Sequence, residues 1–121
     1  WSFAAGLLNA AAQALADDVP VLYVCYDSPM PAPLSDVMPI LESTAIALVI
    51  TPNASAQSMV EWEITLASGR EETSRPDWAP AIWDANGSAR GFAALTTLVA
   101  PTCRSATLPL SPDLNLHLSR C

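Results

Sequence analysis

The sequence predicts an α/β fold, a mixed sheet with a buried central helix, in a single domain spanning residues 1–121. Three observations predict it. The chain has 121 residues, below the roughly 150 of an average domain, and no linker, internal repeat or low-complexity tract divides it. Hydrophobic residues make up 51% and charged residues 14%, against about 25% charged in an ordinary soluble domain. That excludes a disordered chain and leaves little polar material to cover a small domain, so part of the surface is expected to meet a partner or a larger assembly. Apolar residues, finally, recur first at helical period and then in strand-length runs.

The elements follow in order. Phe3–Ala16 lacks proline, with Ser2 as N-cap, and Phe3, Leu7, Leu8, Ala11 and Leu15 form one apolar stripe. Asn9 and Gln13 are the only polar interior side chains of this helix, which predicts a rod buried on nearly every side. Asp17-Asp18 suit a turn, since acids oppose the dipole at a helix C-terminus. The run Val19–Tyr26 predicts a strand buried on both faces, as in a parallel or mixed sheet. The proline-rich Asp27–Pro33 ends it. Ser43–Thr51 predicts a second buried strand. Met59–Leu66 alternates, with Glu61, Glu63 and Thr65 on a wet face, and the short link before it predicts antiparallel pairing with the preceding strand.

Ser68–Asn86 is the most polar stretch and is expected to be a surface excursion anchored by Trp78 and Trp83. Ser88–Val99 returns to helical spacing, with Ser88 as cap. Ala106–Leu110 and Leu114–Leu118 are expected as two short strands around Ser111-Pro112-Asp113.

Charge narrows the function classes. Five arginines, no lysine and twelve acids give a net charge of −7, which excludes binding to nucleic acid and to anionic membranes. The longest apolar run, around Ala45–Ile50, is strand-sized, so no membrane insertion is expected. No basic segment precedes the Ala-rich Ala10–Ala16, and a cytoplasmic location is the expectation.

Each candidate for chemistry has a plain alternative. Cys25, inside an apolar run, reads as a small buried hydrophobe. A Cys103–Cys121 disulfide is geometrically possible, but nothing else points to an oxidising compartment. With no C-x-x-C pair and His117 as the only histidine, a zinc site lacks ligands. Glu61 and Glu63 could act as paired carboxylates, yet nothing desolvates either one. His117 could serve as a general base, but it lies on the polar face of a terminal strand. No G-x-S-x-G or phosphate-binding glycine loop occurs, and Asn86-Gly87 is a turn signal. Asn53-Ala54-Ser55 and Asn86-Gly87-Ser88 match the glycosylation pattern by chance in a chain without a secretory signal. The motifs alone define no catalytic, cofactor-binding or metal-binding residue.

The opening Trp1-Ser2-Phe3-Ala4-Ala5-Gly6-Leu7-Leu8-Asn9-Ala10-Ala11, continuing through Pro20–Tyr26 to Asp27-Ser28-Pro29, resembles ketoacyl-synthase-like proteins of bacterial polyketide and aryl-polyene clusters. These are distant relatives of β-ketoacyl-acyl-carrier-protein synthases, sometimes grouped with chain-length factors. The group's pattern is Ser-Phe-Ala-Ala-Gly-Leu-Leu, an Ala/Leu helix, then a buried strand ending in Tyr-Asp-x-Pro. Leu108-Pro109-Leu110-Ser111-Pro112 and the alternating leucines after it are also similar. The likeness covers the helix and first strand well, the last strands moderately and the middle weakly.

The resemblance implies part of one thiolase-like half, from a parent acyltransferase of fatty-acid or polyketide biosynthesis. In such enzymes a cysteine nucleophile sits at the N-terminus of the central helix, assisted by two histidines from the other half. Here that helix begins Trp1-Ser2-Phe3, and His117 does not map onto either histidine. The chain alone is therefore expected to be inactive, with an acyl carrier protein or a ketosynthase subunit as partner in a homo- or hetero-oligomer. The alternatives are a non-catalytic subunit like a chain-length factor, and an unrelated small α/β binding module using Trp62, Trp78 and Trp83.

Overall fold

The computed structural model describes residues 2–70, 74–76 and 82–121, and shows a small α/β domain with two separate sheets. Helix α1 (Ser2–Asp17) leads to β1 (Val21–Asp27), the short helix α2 (Leu34–Val37) and β2 (Thr44–Ile50). Strand β3 (Trp62–Ser68) follows, then α3 (Ile82–Ala85), a 3₁₀ turn (Ser88–Gly91), α4 (Phe92–Val99), β4 (Ser105–Ser111) and β5 (Leu114–Arg120). Both sheets are antiparallel throughout, so the mixed sheet expected from the sequence is corrected.

The first sheet is the pair β1–β2; the second has the order β3-β5-β4. The expected pairing of β3 with β2 does not form, because residues 51–61 carry the chain away and β3 lies along β5 instead. The hairpin β4–β5 is where the leucine alternation placed it. Pro109, which cannot donate to a ladder, sits on an edge strand beside an irregularity in the register, where its missing N–H is tolerated.

The core gathers around the helices. Phe3, Ala4 and Leu7 of α1 and Ala93 and Ala94 of α4 meet Ile46 of the first sheet and Ala106, Leu108, Leu116 and Leu118 of the second. Helix α1 lies on β1 and reaches β4, the 3₁₀ turn lies on β2, and α4 lies on β4. The helices thus join two sheets that, among the described residues, share no strand pairing.

Two burial expectations are corrected. Helix α1 is not enclosed on every side: Phe3, Ala4, Leu7, Ala10 and Ala14 are buried, while Ala5, Asn9, Ala12, Gln13 and Ala16 are exposed and Leu15 is 68% exposed. Its buried stripe is rotated toward the small residues because β1 approaches so closely. A Cβ on Gly6 would stand 2.6 Å from the Tyr23 ring. Strands β1 and β2 are not buried on both faces either, since a two-stranded sheet has helices on one side only; on β2, Ala45, Ala47 and Val49 are exposed. Val21, Tyr23 and Cys25 face inward and are half-buried; Leu22, Val24 and Tyr26 are exposed.

The most polar stretch, expected to be an excursion anchored by two tryptophans, contains α3, and Trp83 on it is fully buried. Trp78 lies outside the described residues. Ser88 opens a 3₁₀ turn rather than an α-helix, and its side chain turns inward. Among the described residues, no helix is long and apolar enough to cross a membrane.

Candidate functional site

Three surfaces or clusters carry the polar and exposed apolar groups on which function could rest. The first is a buried polar cluster that ties the end of the β1–β2 sheet to the 3₁₀ turn. Asp27 ends β1 opposite Thr44 at the start of β2. The Asp27 carboxylate accepts from the Ser88 backbone N–H at 2.6 Å, and the Thr44 and Ser88 hydroxyls lie 2.6 Å apart. The Asn86 amide donates to the Glu42 carbonyl at 2.6 Å and to the Thr44 hydroxyl at 2.9 Å. Asn86 and Ser88 are 1% and 0% exposed. The turn signal read at Asn86-Gly87 therefore conceals a core polar residue, and a glycan at Asn86 has no room. Sequence reasoning missed this cluster; the polar Asp27 closing an apolar strand was the one signal for it.

The second is the outer face of the β3-β5-β4 sheet. Register places Glu63 beside Ser119 and Ser105, and Thr65 beside His117 and Thr107. His117 is half-buried, with Nδ1 3.2 Å from the Thr107 hydroxyl. It borders a shallow groove of about 600 Å³ together with Arg70, Thr107 and Asn115. Glu61 and Glu63 are exposed, and among the described residues neither is hydrogen-bonded to His117, whose Nδ1 faces Thr107. Among the described residues, no carboxylate lines this groove.

The third is the outer face of the β1–β2 sheet. Leu22 stands opposite Val49, Val24 opposite Ala47 and Tyr26 opposite Ala45. All six are exposed, Leu22 to 66%, Tyr26 to 72% and Val49 to 67%. No charged side chain interrupts this face. Single exposed apolar residues are ordinary, whereas here a contiguous set fills one side of a sheet.

No family model, curated protein or solved structure matches this chain.

The cysteines do not converge. Cys25 is half-buried on β1, Cys121 is exposed, and the Cys103 thiol lies 3.4 Å from the Ser105 carbonyl; all three are free. None sits at the α1 N-terminus. Among the described residues, no three His, Cys, Asp or Glu side chains gather to hold a metal ion. Two tryptophans of the suggested aromatic cluster serve the interior instead. Trp83 is buried with Arg90 over its ring at 5.3 Å, and the half-buried Trp62 donates to the Thr97 hydroxyl at 2.8 Å.

Burial pushes the Tyr23 phenol well above its ordinary range, helped by the hydrogen bond and charge of the neighbouring Cys25 thiol. The hydroxyl is also engaged, donating to the Phe3 carbonyl at 2.9 Å. Tyr23 is thus a fastening between β1 and α1, with its proton held in place.

Proposed function

We propose that the chain is a ketoacyl-synthase-like element of fatty-acid or polyketide assembly that contributes an interaction layer and carries no condensing site of its own. The observation that carries this reading is the uninterrupted apolar outer face of β1–β2, at the end of the segment that resembles the ketoacyl-synthase-like group. A partial thiolase-like half leaves such a face for another layer. None of the three cysteines of this sequence lies in α1, where the resemblance asks for the nucleophile. On this reading the parent is an acyltransferase of the β-ketoacyl synthase type, working in the cytoplasm. Its partner is an acyl carrier protein or a ketosynthase subunit, the latter as with a chain-length factor.

Two measurements test it. The chain alone, incubated with malonyl-loaded acyl carrier protein and an acyl primer, is expected to give no condensation product; product formation overturns the non-catalytic role. Mixed with a ketosynthase subunit from a polyketide or aryl-polyene system, it is expected to form a stoichiometric complex in light scattering. A monomer that binds neither the ketosynthase nor the carrier protein overturns the assembly role.

A further inference from the structure

We infer that the outer face of β1–β2 is the seat of a single amphipathic helix, about four turns long, presented by a partner protein and flanked at both ends by lysine or arginine. This inference concerns the surface itself and stands whether or not the acyl-assembly reading holds.

Dimensions select a helix. Each strand has seven residues, which at about 3.3 Å per residue span roughly 20 Å. Two strands about 4.8 Å apart present a strip close to 10 Å wide, the diameter of one α-helix. At 1.5 Å per residue, about 14 helical residues match the length. The relief suits it as well, because over most of the strip the larger Val24 and Tyr26 of one strand stand opposite the small Ala47 and Ala45 of the other, with Leu22 facing Val49 at the end. A helix settles into the step between them.

Charge selects the flanks. All five arginines lie at position 70 or later, whereas residues 2–69 hold seven acids and no lysine or arginine. Exposed Asp17 and Asp18 precede β1 at one end of the strip, and exposed Asp36 and Glu42 lie on the connection between Asp27 and Thr44 at the other. The strip is thus uncharged along its length and acidic beyond each end. A second copy of this chain would stack two cation-free acidic halves face to face, which like-charge repulsion opposes. A partner helix with an apolar face and basic ends meets both features.

The test uses the full chain, ¹⁵N-labelled, titrated with a 16-residue helical peptide of Leu/Ala face and lysine ends, and with the same peptide bearing glutamate ends. The lysine peptide is expected to bind saturably and to shift the amides of Leu22, Val24, Tyr26, Ala45, Ala47 and Val49. Val24→Glu is expected to weaken it about tenfold or more. Joint Asp17→Asn, Asp18→Asn, Asp36→Asn and Glu42→Gln is expected to weaken it several-fold, as is raising the salt from about 0.05 M to 0.5 M, where screening shortens to a few ångströms. Val24 points to solvent, so its variant is checked for an unchanged circular dichroism spectrum; Leu22→Ser provides a second probe of the same face. The inference is overturned by absence of saturable binding, by equal affinity for the glutamate peptide, by shifts confined to the other sheet, or by sedimentation showing that the chain itself dimerises through this face.

Discussion

The Tyr23 hydroxyl donates to the Phe3 carbonyl at 2.9 Å while the two rings lie 5.4 Å apart, tilted by 56°. One side chain of β1 thereby clasps the first turn of α1 by a polar bond and a ring contact together. The clasp requires a bare backbone at Gly6, where an added Cβ would stand within 2.6–2.9 Å of three Tyr23 ring and hydroxyl atoms.

Gly6→Ala is therefore expected to destabilise the domain. Alanine gains about 1 kcal/mol of helix propensity, but overpacking a closed contact costs about 1–3 kcal/mol, and the rigid ring has little room to yield. A net loss of roughly 1 kcal/mol in urea unfolding is expected. A variant more stable than the parent would show that β1 and α1 can separate at no cost.

Tyr23 also sets an alkaline limit. Its phenol holds the proton more tightly in the folded state than in the unfolded chain, where the pKa is about 10. Below pH ~10 both states are protonated and the contribution is fully present. As pH rises through and beyond that value the unfolded state releases its proton first, so stability falls. Tyr23→Phe is expected to lose about 1 kcal/mol at neutral pH with the hydrogen bond, and to show a shallower decline of the urea midpoint between pH 9 and 11. Equal slopes would remove Tyr23 as the cause.

The positions of most elements are legible in the sequence; their coverage is not. The proline-free start, the apolar runs at 21–26 and 44–50 and the leucine alternation after Asp113 each mark a real helix or strand. What the runs do not encode is whether another layer lies over them, and Leu22, Val24 and Tyr26 read as core while standing in solvent. Strand pairing fails for a related reason. The partner of β3 is β5, some fifty residues away, and the residues between β2 and β3 look no different from a hairpin connection. The polar cluster was hidden because Asp27, Thr44, Asn86 and Ser88 are scattered over sixty residues and meet only when the 3₁₀ turn lies on β2.

That cluster is expected to resist piecemeal change. Ser88 is fully buried, and its backbone N–H has the Asp27 carboxylate as partner. Asp27→Ala strands this donor, and a hydrogen bond to a charged group contributes about 1.5–3 kcal/mol. A loss of that order is expected by urea unfolding, with Asp27→Asn recovering part of it through its amide oxygen. If Asp27→Ala and Asp27→Asn unfold at the same midpoint as the parent, the bond contributes nothing to stability.

The end of α1 offers a gain instead. Asp18 has φ 53°, the left-handed conformation, and the Val19 N–H returns to the Ala14 carbonyl at 3.3 Å, the six-to-one bond that closes a helix in a Schellman motif. Glycine adopts that conformation without the penalty of about 1 kcal/mol that a Cβ imposes, a penalty that aspartate partly escapes. Removing the carboxylate also relieves its repulsion with the negative end of the helix dipole, worth about 0.3–1 kcal/mol at low salt. Asp18→Gly is expected to stabilise the domain by about 0.5–1 kcal/mol. The charge part separates from the backbone part by salt: Asp18→Asn, which keeps the left-handed preference and loses the charge, is expected to give a gain that shrinks as ionic strength rises, whereas the remainder shown by glycine persists. Loss of stability in both variants would mean that the Asp18 carboxylate is held by a favourable contact rather than tolerated in the turn.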